Sequence, residues 1–364
     1  MIDVKNFVDI NIVHHQPSTI DATRDTIALF TNDGNAGTIN TISSATDAAT
    51  KYSNFPNTKA YLDMYFANGG IKADVFEGTN YTDITNDYLK QLDNKYICIC
   101  FVNGDKNLIQ TIYNYFKQLM VIRETDKDVY GINEKIILCA TTDNSDATKV
   151  KNFAVKYTNS ENPVIGCEMT IAAYMSQTNV YGLNTIWDYA FTRESITAEN
   201  LDNDTFEKIV ANNMNVDVLL ANAIRNCGGN LKDGSDLINE YVRIILHQTL
   251  TDGLLNLLTQ KIKGSSGVSK IYTTISEELE KYLNSGYLTT DKVWTDKTLT
   301  ISKNGVNYTI IEEGTPIVNG YYISILPITS LTPEEKAAHK TPSIYVIIAD
   351  QYGIRNITIN GEVI

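Results

Sequence analysis

Two segments of the chain alternate apolar and polar residues in the way that is typical of a β-strand. They are VKNFVDINIV (Val4–Val13) and YGIRNITINGEVI (Tyr352–Ile364). Their apolar side chains include Val8, Ile10, Ile12, Ile354, Ile357 and Ile359. All six are β-branched, which favours extended backbone. A strand without a neighbour exposes N–H and C=O groups that pair readily with another chain. We therefore predict that both segments are strands and that each pairs with a partner.

Between Thr26 and Met175, short apolar runs alternate with segments of helical periodicity. The predicted strands are TIALFT, IKADVFEG, YICICFV and KIILCAT. The predicted helices are SSATDAATKYS, NTKAYLDMYFANGG, NDYLKQLD, NLIQTIYNYFKQLM, SDATKVKNF and PVIGCEMTIAAYMSQ. This alternation predicts an α/β core around a largely parallel or mixed sheet. The uniformly apolar YICICFV indicates a strand that is buried on both faces.

Two of these helices carry further signals. We expect Gly69 to stop the helix NTKAYLDMYFANGG, and Pro163 to occupy the first turn of PVIGCEMTIAAYMSQ. The broad buried face expected for the first helix consists of Ala60, Leu62, Met64 and Phe66.

The rest of the chain combines helices with hairpins. We predict a short helix in TFEKIVANN, a strand in VDVLLAN, and a long helix from Asp236 to Ile262 with Gly253 as its weak point. GSSG at Gly264–Gly267 is predicted to be a break, before an amphipathic helix that Gly286 closes. The apolar face of that helix is Val268, Ile271, Ile275, Leu279 and Leu283. In TLTISKNGVNYTII the Asn-Gly pair predicts a hairpin turn, and GYYISIL and SIYVIIAD are further strands.

Composition narrows the class of protein. The chain has 364 residues, of which 43% are hydrophobic and 20% charged, as expected for a folded protein of two or three domains. Its formal net charge of −13 argues against a nucleic-acid partner, because phosphates attract a basic surface. No run approaches the ~20 apolar residues of a membrane helix, so we expect no membrane insertion. We find no basic-then-apolar leader and expect synthesis in the cytosol.

Candidate catalytic motifs are few. Gly34 and Gly37 follow a strand, but the third glycine of a dinucleotide fingerprint is missing, so we predict a plain loop. Cys98 and Cys100 lie two apart on a predicted strand and face the same side. We interpret all five cysteines as buried thiols of a reducing compartment: Cys98, Cys100, Cys139, Cys167 and Cys227.

Histidines and acidic residues give no stronger candidate. His14 and His15 are adjacent, so on a strand they face opposite sides and cannot share a metal. His247 is expected to be partly buried in the long helix, and His339 to be solvated. One acidic group could bind calcium but lacks the ordered loop pattern: Asp202, Asp204 and Glu207. Another group is interpreted as part of the solvent-exposed face of its helix: Glu277, Glu278 and Glu280. We therefore predict no catalytic residue, no metal site and no cofactor.

The last hundred residues contain several structural motifs in a recognisable order. An amphipathic helix leads to Gly286 and Trp294, and then come GYYI (Gly320–Ile323), Pro327, KTPSI (Lys340–Ile344) and IRNITI. This order resembles the C-terminal domain of the contractile tail sheath proteins of bacteriophages. Upstream, EMTIAAYMSQTNVYGLNTIWDYAFTRES and LDNDTFEKIVANNMNVDVLLAN are similar to further segments of that family.

The resemblance covers residues 163–364 in detail and the preceding part in outline. It implies a fold of α/β and α+β class: a sheath-like core whose N- and C-terminal strand arms are exchanged between subunits. The implied regions are an N-terminal arm at 1–24, an α/β core at 25–262, a C-terminal domain at 263–351 and a C-terminal arm at 352–364. The chain is short for this family, which implies a lean subunit.

The resemblance also implies a function. A sheath subunit polymerises as six-fold stacked rings around a tail tube and contracts to drive the tube through the host envelope during genome ejection. Its partners would be further copies of itself, the tail tube protein, and the baseplate and tail terminator proteins. It would be made in the host cytoplasm and reside in the virion.

In such sheaths the C-terminal domain lines the bore, which implies a tube contact on the polar side of the amphipathic helix: Lys270, Glu277, Glu278 and Lys281. Two alternatives remain open. One is a non-contracting tail or baseplate component of the same fold, and the other is an α/β enzyme with an unrecognised site.

Overall fold

The computed structural model describes residues 11–12, 25–34, 37–81, 96, 98–105, 107–109, 111–112, 135–145, 153–178, 188–260, 262 and 264–350. Its strands are β1 (Asn11–Ile12), β2 (Thr26–Thr31), β3 (Thr38–Ile42), β4 (Lys72–Glu77), β5 (Cys98–Phe101), β6 (Ile136–Thr141), β7 (Phe153–Tyr157), β8 (Val216–Leu220), β9 (Ala223–Cys227), β10 (Leu299–Lys303), β11 (Val306–Ile311), β12 (Tyr321–Ile325) and β13 (Ile344–Ile348). Its α-helices are α1 (Ala45–Lys51), α2 (Pro56–Ala67), α3 (Met169–Gln177), α4 (Asn203–Ala211), α5 (Leu237–Leu258), α6 (Gly264–Asn284) and α7 (Pro333–Ala337). The predicted helix NDYLKQLD and most of NLIQTIYNYFKQLM lie outside the described residues.

A six-stranded mixed sheet forms the centre of the first half, in the order β3-β4-β2-β5-β6-β7. All adjacent strands in this sheet are parallel, except that β3 runs antiparallel to β4. Strands β2 and β5 are buried along their whole length. In β2, Leu29 packs into the hydrophobic cluster on one face, and Phe30 packs into the cluster on the other. The predicted α/β core with a mixed, doubly covered sheet is therefore confirmed.

Helix α2 follows the helical period more strictly than we expected. Its buried residues are Thr58, Tyr61, Leu62 and Tyr65, whereas Ala60, Met64 and Phe66 are only partly buried. The expected face was wrong because it took every second residue, and a helix turns once in 3.6 residues. Gly69 does end the helix, with φ +85° in the left-handed region that favours glycine.

Helix α3 begins six residues later than Pro163. The residues between them form turns, and Gly166 has φ +71°, which no α-helix accommodates. A Cβ at Gly166 would lie 3.2 Å from the backbone of Tyr61, so this turn also needs a residue without a side chain. Strand β7 replaces the end of the predicted helix SDATKVKNF at Phe153, because FAVKY completes the sheet beside β6.

Strands β8 and β9 form a hairpin that covers the outer edge of β7. The backbone N–H of Tyr157 donates to Asn215 O at 2.8 Å, and that of Asn215 donates to Val155 O at 2.9 Å. Strand β8 matches the predicted strand VDVLLAN, and α4 matches TFEKIVANN. Strands β9 and β3 were not predicted from the sequence, because their residues include many polar ones.

The helical part that follows is an antiparallel pair, α5 and α6. Helix α5 runs through Gly253 without interruption. The predicted break at Gly264–Gly267 is wrong, since these residues form the first turn of α6. The apolar face of α6 is confirmed, with Ile271, Ile275 and Leu279 buried. None of the described helices is long and apolar enough to cross a membrane.

Strands β10 and β11 form the predicted hairpin. Asn304 and Gly305 both have positive φ, at +53° and +76°, as a two-residue turn of this kind requires. Strands β12 and β13 pair antiparallel beside it, and β1 lies parallel to β13 on the other side. One hydrophobic cluster includes Leu29, Ile245, Ile275 and Val346, so it extends across the boundary predicted at 262 and 263. The division into regions remains a prediction.

Candidate assembly interface

In the sheet β1-β13-β12, the central strand β13 packs against hydrophobic clusters on both faces. Tyr321, Ile344 and Val346 point into the cluster that contains the buried face of α6. On the opposite face, Ile347 and Ala349 pack with Ile311, Ile317 and partly buried Trp294. Further strands can add to this sheet at its edges, where the backbone N–H and C=O groups point outward.

The register of β12 and β13 determines which backbone groups point to those edges. Ala349 N–H donates to Gly320 O at 2.8 Å, and Leu326 N–H donates to Ser343 O at 3.0 Å. Antiparallel pairs alternate between bonded and non-bonded positions. The residues of β12 whose N–H and C=O point away from β13 are therefore Tyr321, Ile323 and Ile325. Those of β13 that point away from β12 are Ile344, Val346 and Ile348.

One of these edges carries the N-terminal strand. Asn11 lies opposite Tyr345 and Ile12 opposite Val346, in parallel register. Ile12 is thus in a strand beside β13 of the same chain, and its pairing with a neighbouring copy stays a prediction. Within the described residues, no strand pairs with the other edge, that of β12. The remaining predicted arm residues lie outside the described residues: Val8, Ile10, Ile354, Ile357 and Ile359.

The polar side of α6, proposed from the resemblance as a tube contact, is smaller than expected. Lys270, Glu277 and Lys281 are exposed, but Glu278 is only 8% exposed. The Glu278 carboxylate accepts a hydrogen bond from Lys281 at 2.6 Å. Its assignment to the solvent-exposed face was wrong because residue 278 is three positions after buried Ile275 and shares its face. The described structure therefore leaves Lys270 and Glu277 as the unpaired part of the predicted contact.

A buried ionic group that the sequence analysis did not find joins β7, β8 and α3. The Lys156 side chain is 0% exposed, and its Nζ lies 2.5 Å from Glu194 Oε2 and 2.8 Å from Asp217 Oδ2. It also donates to Thr170 Oγ1 at 2.5 Å, and the Tyr189 hydroxyl donates to Glu194. A lysine in the otherwise apolar run FAVKY is the only sequence signal of this group.

Electrostatics make this group a structural link and not a nucleophile. Burial disfavours the ammonium, but Asp217 and Glu194 outweigh it and hold the pKa of Lys156 well above its usual range. Burial raises the pKa of Asp217 well above normal, whereas Lys156 overcomes burial and lowers that of Glu194. The protonated lysine has no free electron pair, so its role is to hold three elements together.

Another buried acid, Glu168, lies near the carboxyl ends of β5 and β6, where α/β enzymes usually have their active sites. Burial raises the pKa of Glu168 to about 7, and its Oε1 accepts a weak hydrogen bond from Cys100 at 3.8 Å. A cavity of about 420 Å³ at that end of the sheet is lined by Asn103, Asp105, Thr141 and Asp143, among others. Among the described residues that line it there is no histidine or cysteine.

The cysteines behave as the sequence predicted. All five are free and buried, and burial raises the pKa of Cys98 to about 12 and that of Cys227 to about 11. Thiols with such pKa values are unreactive near neutral pH.

The metal candidates are not brought together. In the described part of the chain, no three His, Cys, Asp or Glu side chains could hold a metal ion. Asp202 instead caps α4, where its carboxylate accepts from Thr205 N–H at 2.7 Å. His339 is exposed, as predicted. His14, His15 and the side chain of His247 lie outside the described residues.

Comparison with solved structures gives this architecture a class. A chain of the anti-feeding prophage baseplate, a 6-fold symmetrised structure, matches with a TM-score of 0.66 and 13% identity over 98% of both chains. The helical sheath of that particle in its contracted state matches with a TM-score of 0.63 and 13% identity, over 98% of this chain and 99% of that one. A sheath tail protein from Listeria innocua gives a TM-score of 0.52 and 12% identity, over 91% and 96%. No protein-family model and no curated sequence matches.

The fold is therefore that of a contractile tail-sheath-like protein. It extends over 98% of the chain, including the first half, where the motifs gave only an outline. The family resemblance drawn from the order of motifs is confirmed at the level of fold.

Proposed function

We propose that this chain is a structural subunit of a contractile tail sheath. The observation that carries the proposal is the match over 98% of this chain and 99% of a contracted helical sheath subunit. Copies of the chain would polymerise as stacked six-fold rings around a tail tube. Contraction would drive that tube through the host envelope. The subunit would form in the host cytoplasm, reside in the virion and need no cofactor or catalytic site.

The sheet β1-β13-β12 is the proposed joint between subunits. In the assembled sheath, a neighbouring copy supplies the strand beside β13, and the C-terminal arm of another copy adds to the open edge of β12. This addition is supported by the outward N–H and C=O groups of Ile323 and Val346 on the two edges. Joints of this kind are heterologous, and heterologous contacts generate helical tubes.

The proposed partners beyond the chain itself are the tail tube protein, the baseplate and the tail terminator. A baseplate chain is among the structural relatives, which supports contact with that end of a tail. The same relative favours a second candidate function, a non-contracting tail or baseplate component of the same fold. Such a component would form rings but no long tubes.

Electron microscopy of the purified full chain tests both candidates. We expect striated tubes for a sheath subunit, and isolated rings for a baseplate component. Deleting residues 1–12 should leave a folded subunit that does not polymerise, since β1 is lost and the remaining sheet is intact. A deletion variant that still forms tubes contradicts the proposed joint. A chain that stays monomeric at high concentration contradicts the proposed function.

A further inference from the structure

Two arginines face each other across a short antiparallel pairing beside the β8–β9 hairpin. Arg193 lies directly opposite Arg225. Glu194 N–H donates to Ile224 O at 3.2 Å, and Asn226 N–H donates to Thr192 O at 3.1 Å. These flanking bonds make the arginines a non-hydrogen-bonded pair, in which side chains approach most closely. The two guanidinium groups therefore lie on the same face of the pairing.

This arginine pair is unfavourable for an isolated subunit. Like charges directly opposite each other destabilise a sheet. Neither guanidinium forms an ion pair with any carboxylate in the described ranges. Arg225 Nη1 instead donates to Phe191 O at 2.9 Å. Unpaired cations are unexpected here, because the chain has 43 acidic residues and 30 lysines and arginines.

The neighbouring Phe191 adds a second unusual feature. It has φ +63°, which is rare for a bulky residue, yet the residue is 42% exposed. Its N–H donates to Asn226 O at 2.7 Å, which holds the backbone in this conformation. Phe191 and the arginine pair line a cavity of about 450 Å³. An exposed aromatic residue beside two arginines has the composition that protein–protein interfaces favour.

We propose that Arg193 and Arg225 bind carboxylates of a neighbouring copy of this chain, with Phe191 as the apolar anchor of the contact. The inference rests on the proposed function, because only a polymer presents such a neighbour. Charge complementarity selects the partner: the chain carries −13, so another copy is a source of acidic surface. Guanidinium forks bind carboxylates bidentately, which gives the contact its direction. Assembly then supplies the anions that the isolated subunit lacks.

A single substitution separates this role from a structural one. In the Arg193→Glu variant, the new carboxylate lies opposite Arg225 and pairs with it within the subunit. We expect the unassembled variant to melt no lower than the parent, while its critical concentration for polymerisation rises at least about tenfold at low salt. The control is Lys208→Glu, which changes the charge equally at an exposed position of α4 and should leave polymerisation unchanged.

Photo-crosslinking identifies the occupant directly. A benzoylphenylalanine at position 191 in the full chain, with isotopically mixed copies, should give inter-chain products that contain an acidic peptide of this sequence. If the parent and the Arg193→Glu variant polymerise equally well, the inference is overturned but the proposed function is not. Products only within one chain also overturn it. The inference is also overturned if position 191 crosslinks to an added oligonucleotide and no longer to protein. A parent that never polymerises overturns both.

Discussion

At the residue scale, the buried Lys156 links side chains from several elements. It connects β7 to Asp217 on β8 and to Glu194 on the segment that follows α3. Removing one partner of a buried ionic group leaves an uncompensated charge. We therefore expect Lys156→Met to reduce the free energy of unfolding by about 3–5 kcal/mol, measured by urea denaturation at pH 7.

A second substitution checks the cause of that loss. In Lys156→Met with Glu194→Gln, the orphaned charge is removed, so much of the lost stability should return. If the double variant is as unstable as the single one, the loss comes from packing and not from charge. Lys208→Met, at an exposed lysine, is the matched control and should change stability little.

For Glu168 we expect the opposite effect: its substitution should raise the free energy of unfolding at alkaline pH. Burial raises its pKa from the model-compound value of 4.5 to about 7, so the folded state holds a proton that the unfolded state releases. Its contribution is therefore present below pH 4.5 and is lost as the pH rises through 7. Glu168→Gln cannot ionise and should be more stable than the parent at pH 8, by up to about 3 kcal/mol. Urea denaturation of both proteins at pH 5 and pH 8 measures this, and an equal difference at the two pH values contradicts it.

Neither residue was recognisable from the sequence, whereas the cysteines were. Cys98 and Cys100 lie in a run that is apolar on both sides, so their burial follows from local pattern alone. Lys156 and Glu168 are charged residues within apolar segments, and their partners come from other elements. Such pairings arise only when the tertiary structure brings the segments together.

At the element scale, the sequence predicted those features that depend only on residues close together in the chain. The Asn-Gly pair alone predicts the turn at Asn304-Gly305, and the helical spacing of apolar residues predicts the buried face of α6. Both predictions are confirmed. Strands β3 and β9 were missed because they are edge or hairpin strands with many polar residues, stabilised by the neighbour they pair with. The start of α6 was misplaced because glycines at Gly264–Gly267 occupy its first turn.

The open edge of β12 provides the prediction at this scale. The N–H of Ile323 points away from β13, whereas the N–H of Ser324 bonds within the subunit. Proline removes the N–H, so Ile323→Pro should abolish strand addition and tube formation while the subunit remains folded. Sedimentation and circular dichroism measure the two properties separately.

Two further variants make this test specific. Ile323→Ala removes similar packing but keeps the N–H, and it should still polymerise. Ser324→Pro breaks the pairing between β12 and β13 and should destabilise the subunit itself. Tubes formed by Ile323→Pro at the parent's concentration would show that β12 receives no strand.

At the scale of the whole molecule, one hydrophobic cluster joins the mixed sheet, the α5–α6 pair and the β12–β13 sheet. In the proposed sheath, such a subunit would rotate as one body while its edge strands stay paired with neighbouring copies. The order of motifs predicted this class of fold from about Pro163 onward, and the structural relatives extend it to 98% of the chain. Which surface faces a tube is not determined by the fold alone, so that assignment stays a prediction.

The proposed tube contact on α6 can now be tested with fewer residues. Lys281 is unsuitable for charge reversal, because the reversal breaks its ion pair with buried Glu278. Lys270→Glu with Glu277→Lys reverses the two remaining exposed charges and keeps the net charge. A contact that must release during contraction should be weak and electrostatic. We therefore expect this variant to assemble less on preformed tail tubes, with a stronger dependence on salt, and to keep the parent's melting temperature.

The matched control reverses Glu207 and Lys208, an exposed pair on α4 that also preserves the net charge. It should assemble on tubes like the parent, because the predicted contact lies on α6. Co-sedimentation with tubes at several salt concentrations compares the three proteins. Equal binding of the α6 variant and the parent at low salt would show that this helix does not face the tube. Weaker binding confined to the α6 variant would place Lys270 and Glu277 on the inner surface of the sheath.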